Sequence, residues 1–545
     1  MTDQLNDKPQ RSANDVKDFQ IIEKDDYSNP YNKIISKNVS EYHFIVPNNE
    51  LVEIGEIFFV QDKEKNITFL TRITDIQHAS NYDGNWDTII RGSNFYDNDH
   101  IFNRIVGEPL GCIVGEGDEK KFRKSRTIPT KFSRVDRAEM EQFQFLVKEM
   151  GDIEVGCLRN GSRDVKGIPV ALHSNAMDHH MGVFATTGKG KSNFMKVFAA
   201  SCMKKAALGE SKFGLLIVDP HGEYLSGGEG GKKGLLDLEI YRDKGLKCYS
   251  TDPRQFKESA YVSELVIGKS DIKPKDIEVL FDWNPTQREA LDVIPQALEK
   301  NSNWIDDILT LEGINKMKDK GVHEKTMEKL NKNIRTVLYK NETIISKDER
   351  SSVLGVIKHL QQGKVVLIDI PNLSERSELF ILSLISNRIL EKYKWNALDG
   401  IRSKGCLITI EEAQRVLGGG GGSIVRFESI AREGRKFGVG LCAITQQPKL
   451  IDKQLLSQFN TFVILGLADR NDRIRLKESA QQDLSSLDVE IQTLEKGEAI
   501  ISTLNIPFPV PTSIHLYEDY MQKLIDENLD DEDSADLDDS FEPEW

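Results

Sequence analysis

From about Glu41 to Lys131 the hydrophobic positions fall in short runs with an alternating, strand-like period. Examples are Tyr42–Val46, Ile54–Val60, Ile67–Ile73, Asp87–Arg91 and Pro109–Val114. Polar turn signals separate them, among them Pro47-Asn48-Asn49 and Tyr82-Asp83-Gly84-Asn85. Many short strands at this spacing predict a small β-barrel or sandwich. Arg137–Met150 then reads as a helix. Beyond residue 151 the period switches between strand and helix. Phe213–Val218, Lys364–Ile370, Cys406–Ile410, Gly440–Thr445 and Phe462–Leu465 are strand-like and nearly continuous in apolar residues. Helical patterns such as Asn193–Leu208 and Ser377–Tyr393 lie between them. Unbroken apolar strands separated by helices of that length predict a parallel sheet covered on both faces. Between about Gln255 and Glu349 the strand signal fades and charged amphipathic runs take over (Gln287–Leu298, Glu324–Leu338), which predicts a helical insertion.

These shifts divide the chain into a polar, flexible segment 1–40, a small β-barrel 41–135, a first core part 136–254, a helical insertion 255–350, a second core part 351–517 and an acidic tail 518–545. The length of 545 residues requires several units of this kind. The net charge is −15, yet Asp526–Trp545 alone holds 11 acidic and no basic residues. Most of the acidity therefore belongs to the tail, and the body is close to neutral. Such a balance neither demands nor excludes a nucleic-acid partner. No run approaches a membrane span and the N-terminus lacks a signal-type apolar core, so a cytoplasmic protein without a membrane partner is expected. Six widely spaced cysteines without a C-x-x-C pair fit buried free thiols.

The sharpest chemical signal is Val183-Phe184-Ala185-Thr186-Thr187-Gly188-Lys189-Gly190-Lys191-Ser192-Asn193. An apolar strand enters a glycine-rich turn and leaves as a helix. Backbone N–H groups of such a turn and the positive end of the following helix make an anion cradle. Lys191 is placed to reach β- and γ-phosphates and the Ser192 hydroxyl to ligate Mg²⁺. Thr187, Gly188, Lys189, Gly190 and Asn193 complete the expected nucleotide-binding loop. Ala185 stands where the strict phosphate-loop pattern has glycine. Cys406–Ile410 ends in Glu411-Glu412, two acids at a strand's C-terminal edge. Glu412 is expected to activate water and Glu411 to take the metal side. Asp219 and Glu223 mark a second acidic strand end. Gln446 follows the strand Gly440–Thr445, where an amide can sense the γ-phosphate. Arg432 and Arg435 lie in a basic run that suits either a trans-acting arginine or a solvated helix end. Gly418–Gly422 reads as a slack connection or a mobile loop, and Lys449 and Lys453 as either solvated or pore-lining lysines.

Taken in order, the phosphate loop, Ile217-Val218-Asp219-Pro220-His221-Gly222-Glu223-Tyr224, Ile408-Thr409-Ile410-Glu411-Glu412-Ala413-Gln414, Ala431–Gly438 and Thr445-Gln446-Gln447-Pro448 resemble the HerA-type hexameric DNA translocases of the HerA–FtsK group. The resemblance spans roughly residues 41–517. It implies an α/β, RecA-like P-loop NTPase core with a parallel-rich sheet, an N-terminal small β-barrel and a helical insertion. It also implies ATP and Mg²⁺, a homo-hexameric ring around double-stranded DNA, and Arg432 or Arg435 acting on a neighbour's site. Gln447 and Lys189 depart from the usual pattern, where Arg and Ser are common. Relatives pair with nucleases or sirtuin-type effectors, some in antiphage defence, so an effector subunit is an expected partner. Two other readings share the motor: an ATP-regulated scaffold ring that activates an effector, and a protein-pumping secretion-type ATPase.

Overall fold

The computed structural model describes residues 30–538, apart from 36, 81–100, 116–119, 228–231, 256–258, 282, 299–302, 347–349 and 419–423. The expected strand Asp87–Arg91, the turn at Tyr82–Asn85, most of Gly418–Gly422 and the last seven residues lie outside the described residues.

The N-terminal sheet is antiparallel. Its strands run in the order Tyr42–Pro47, Ile101–Val114, Ile67–Ser80, Ile57–Asp62 and Val135–Arg137, with Lys121–Arg123 added beside Ile101–Val114. Alternation of buried and half-exposed positions in Tyr42–Pro47 follows from one face turned to the interior. Tyr42, Phe44, Val46, Phe58, Val60, Phe69 and Ile105 fill that interior. Residues 32–35 close the sheet on itself. Asn32 and Ile35 donate to Ile45 and His43 on one side, while Ile34 and Val135 exchange bonds with Ser133 and Asn32 on the other. Ile34 is fully buried. The polar segment expected to be flexible up to residue 40 thus contributes the closing strand. A single buried isoleucine among polar neighbours, with its backbone paired on both edges, is too short a pattern to stand out in the sequence. Val135–Arg137 likewise pairs as a strand, and the helix begins only at Met140.

The core is one twelve-stranded sheet. Val262–Glu264, Leu246–Ser250, Val365–Asp369, Phe213–Asp219, Gly405–Ile410, Val439–Thr445, Met181–Phe184 and Thr461–Ile464 are parallel neighbours in that order. Glu498–Thr503, Val510–Ile514, Ile153–Asn160 and Arg163–Leu172 extend it antiparallel. All residues of Phe213–Asp219, Val439–Thr445 and Met181–Phe184 are buried, as strands covered on both faces must be. The insertion is helical, with Pro285–Ala297, Leu311–Asp319 and Glu324–Lys340 as its main helices. In the last of these Met327, Leu330, Ile334 and Val337 recur at helical spacing and are buried. A short parallel pair, Ile267–Gly268 with Ile345–Ser346, ties the two ends of the insertion together.

Barrel and core are bolted by buried polar groups. Arg72, fully buried in the barrel, donates to the Pro509 carbonyl and lies 5.9 Å from the Phe508 ring. Asn160 bridges Ile57 and Ala138 (2.5–3.1 Å). At Gly55 (φ +85°) any side chain would strike the Glu490 carboxylate, which pairs with Arg159 at 3.2 Å. The chain ends in the helix Tyr517–Asp538. Its first turns are not a solvated tail: Tyr517, Tyr520 and Leu524 are buried, Tyr520 meets Ser201 (2.8 Å) and Glu527 pairs with Lys204 (2.7 Å). This helix lies along the back of the helix Lys191–Ala207. Among the described residues no helix is long and apolar enough to cross a membrane.

Candidate nucleotide site

Four adjacent parallel strands end on one edge of the sheet, and each delivers part of the site. Met181–Phe184 leads into the phosphate loop, Val439–Thr445 into Gln446, Gly405–Ile410 into Glu411-Glu412, and Phe213–Asp219 ends in Asp219 itself. The C-terminal edge of a parallel sheet is where α/β folds bind ligands. There the loops enclose a cavity of about 1000 Å³ lined by Thr187, Gly188, Gly190, Lys191, Ser192 and Asn193, together with Asp219, Glu223, Glu411, Glu412 and Gln446.

The loop has the conformation a phosphate cradle needs. Gly188 and Gly190 sit at φ +81° and +107°, a region L side chains rarely adopt. A Cβ at Gly188 would meet nothing within 4 Å, so the space in front of the loop is open. Gly190 caps the helix Lys191–Ala207, leaving that helix's first N–H groups directed at the cavity. Lys191 is half-buried; desolvation lowers its ammonium's pKa, against the pull of Glu412, Glu411 and Glu223. A cation desolvated among three carboxylates is poised for an anionic ligand that carries its own metal ion.

Each acid has a definite partner. Ser192 donates to Glu223, and Tyr224 donates to Glu411. Burial pushes the Glu411 carboxyl up to about 7, with the Tyr224 hydrogen bond opposing and the Asp219 charge adding to the rise. Asp219 is also raised by burial, although it accepts from the backbone N–H groups of His221, Glu223 and Tyr224 (2.9–3.2 Å). It therefore shapes the loop that presents Glu223. Thr187 donates its hydroxyl to the Gln446 side chain, joining the phosphate loop to the neighbouring strand. The hydroxyl of Ser192 and the carboxylates of Glu223 and Glu411 are hard oxygen donors beside a phosphate cradle. That donor set fits Mg²⁺, which takes few protein ligands and completes its shell with phosphate oxygens and water.

Some expected residues stand elsewhere. The Lys189 side chain turns out of the cavity and donates to the Leu494 carbonyl at 2.5 Å. The departure from serine at this position thus anchors the loop to the segment before Glu498–Thr503. Asn193 does line the cavity, but its amide donates to His515 O and accepts from Tyr517 N, fastening the phosphate-loop helix to the start of the C-terminal helix. Arg432 and Arg435 are absent from the cavity lining. They precede Val439–Thr445 and so lie at the N-terminal edge of the sheet, a strand's length from Gln446. Arg432 is over half exposed and approaches Glu428 at 3.9 Å. Lys449 and Lys453 are paired with Asp469 (2.9 Å) and Glu478 (2.7 Å).

Residues to which the motifs assigned no role also belong to the site. Tyr224 orients Glu411, and Gln414 donates to Glu412 at 2.6 Å. Lys196, Lys496, Ile514 and Leu516 also line the walls. Gln414 lies two residues past the acids and was legible as part of the motif, but not its bond. Lys496, Ile514 and Leu516 come from the far end of the chain, and nothing local marks them.

A phosphate-loop strand separated by one strand from the strand bearing the paired acids, in a parallel sheet with the loop glycines at positive φ, defines a P-loop NTPase with a RecA-like core. Residues 153–389 match the family model described as the central domain of the helicase HerA. The DNA double-strand break repair helicase HerA of Saccharolobus solfataricus is 28% identical over 396 residues, covering 70% of this chain and 72% of that protein. The protein of the same name from Pyrococcus furiosus is 23% identical over 534 residues, covering 89% and 91%. The chain is similar to HerA-type ATPases over these residues. Among solved structures, the bacterial conjugative coupling protein TrwB aligns with 69% of this chain and 92% of its own at 14% identity, with a TM-score of 0.45.

Proposed function

We propose that this protein is an ATP-driven motor that moves along or unwinds double-stranded DNA as a six-membered ring. The observation that carries the reading is the convergence of Lys191, Ser192, Glu411, Glu412 and Gln446 on one cavity of triphosphate size. Lys191 and the loop N–H groups hold the β- and γ-phosphates. Ser192 and Glu411 would hold Mg²⁺, which would supply charge neutralisation to the phosphates. Glu412 accepts a proton from the attacking water, and Gln446 reads the presence of the γ-phosphate through Thr187. Within one chain Arg432 and Arg435 have no route to this cavity. In a ring, the N-terminal edge of one protomer's sheet meets the next protomer's cavity, and either arginine then stabilises transition-state charge there. DNA as the track is supported by the names of the relatives, which are DNA repair helicases. In this reading the barrel is the docking face for a nuclease or sirtuin-type effector.

ATP turnover measured with and without duplex DNA, on a sample whose mass is determined in parallel, tests the reading. The motor predicts several-fold stimulation by DNA in a ring-sized species. Turnover indifferent to DNA contradicts the motor and favours a scaffold ring, and a monomer under all conditions removes the trans-acting arginine.

A further inference from the structure

The turn that carries the paired acids is held in an unusual way. Glu412 sits at φ +48°, a left-handed backbone that non-glycine residues adopt only when their surroundings impose it. Ala413 N–H donates to Ile444 O at 3.0 Å, knitting the turn to the neighbouring strand. Beyond it, Gln414 donates its side-chain amide to Glu412 Oε2 at 2.6 Å. The other end of that amide accepts from the Thr445 hydroxyl at 2.5 Å. Thr445 Oγ1 in turn accepts from the Gln447 N–H at 3.0 Å.

The direction of this chain is fixed at Glu412, whose ionised carboxylate can only accept, so the Gln414 NH₂ group faces it. The Gln414 oxygen then faces Thr445 and accepts from its hydroxyl. The amide donor takes one acceptor site of Glu412 Oε2, which lowers that oxygen's proton affinity and fixes the direction in which the carboxylate points. The neighbouring residue in the same turn, Gln446, is bonded to Thr187 of the phosphate loop. The turn 445–447 thus touches the nucleotide loop through Gln446 and reaches Glu412 through Thr445 and Gln414.

We propose that Gln414 is a positioning residue that parks Glu412, and that the Thr445–Gln447 turn releases it when a γ-phosphate separates Thr187 from Gln446. This rests on the reading of Glu412 as the group that activates water. Phosphate occupancy is thereby coupled to the readiness of the acid through one amide, and hydrolysis is restrained until the turn moves.

The test uses the full chain and its steady-state ATP turnover without DNA, with kcat and KM separated, for Gln414→Leu, Thr445→Val, Thr445→Ser and Glu412→Gln. Parked Glu412 predicts that Gln414→Leu and Thr445→Val raise kcat about threefold or more while KM stays within about twofold. Thr445→Ser keeps the hydroxyl and retains the wild-type rate, which a purely steric role of Thr445 would not predict. Thermal melting confirms that each variant is folded. An unchanged or lowered kcat in Gln414→Leu, with Glu412→Gln inactive, overturns the parking role and leaves the site intact. A Glu412→Gln protein that still turns over normally removes the underlying reading instead.

Discussion

His180 offers a quantitative check on how the arginine-bearing edge of the core is held. It is almost fully buried, with its ring against Phe459. Nδ1 accepts from Leu441 N at 2.9 Å and Nε2 donates to Ala431 O at 2.7 Å. Ala431 lies in the helix Ile424–Glu433, which also carries Arg432, and Leu441 lies in the strand that ends before Gln446. Only the neutral ring satisfies both bonds; a proton on Nδ1 would face the Leu441 N–H. Burial accordingly pushes the imidazole down to about 4, with Ala431 opposing and nearby His179 and Arg435 reinforcing the fall. The ring takes up a proton near 6.5 in the unfolded chain and only near 4 in the fold. The unfolded state thus binds more protons in between, and this contribution to stability is complete above 6.5 and lost as pH falls toward 4. The loss between about pH 7.5 and about pH 4.5 comes to roughly 2.5 kcal/mol. Urea unfolding followed by fluorescence, in wild type and in His180→Gln, isolates the term because the carboxylates titrate in both. Wild type should lose about 2.5 kcal/mol more than the variant over that interval. Parallel pH profiles would refute the argument.

Three further outcomes follow from the packing and the cavity. Lys191→Ala should weaken Mg-ATP binding by about tenfold or more and remove measurable turnover, read by calorimetry and phosphate release; unchanged affinity would contradict the cradle. Ile34→Asp places a carboxylate in the barrel interior at a cost of several kcal/mol. Limited proteolysis should then cut within residues 30–138 while Mg-ATP binding persists, and an equally resistant barrel would contradict its closure by residues 32–35. Arg72→Met removes the donor to Pro509 O and should lower stability by about 1–3 kcal/mol. A melting temperature equal to wild type would show that the barrel does not depend on that bolt.

Much of the core was legible in the sequence because its signals are local. Leu215-Leu216-Ile217-Val218 reads as a covered strand, and Gly188–Ser192 announces its turn. What escaped was carried by contacts between distant residues. Arg72 finds Pro509, Lys189 finds Leu494, and Ile34 finds the edge at Ser133, each across a stretch that no period connects. The acidic composition after residue 518 hid a helix whose first turns have an apolar stripe of Tyr517, Tyr520 and Leu524. Gln414 lay in plain view, but its second partner, Thr445, lies on another strand.

The claim on which the rest depends is that Lys191 and Glu412 serve one bound triphosphate, with binding belonging to the first and bond cleavage to the second. Equilibrium Mg-ATP binding and single-turnover hydrolysis on Glu412→Gln test it directly. The account predicts affinity within a few-fold of wild type and cleavage slowed about a hundredfold or more. Affinity lost together with cleavage, or cleavage at the wild-type rate, would contradict it.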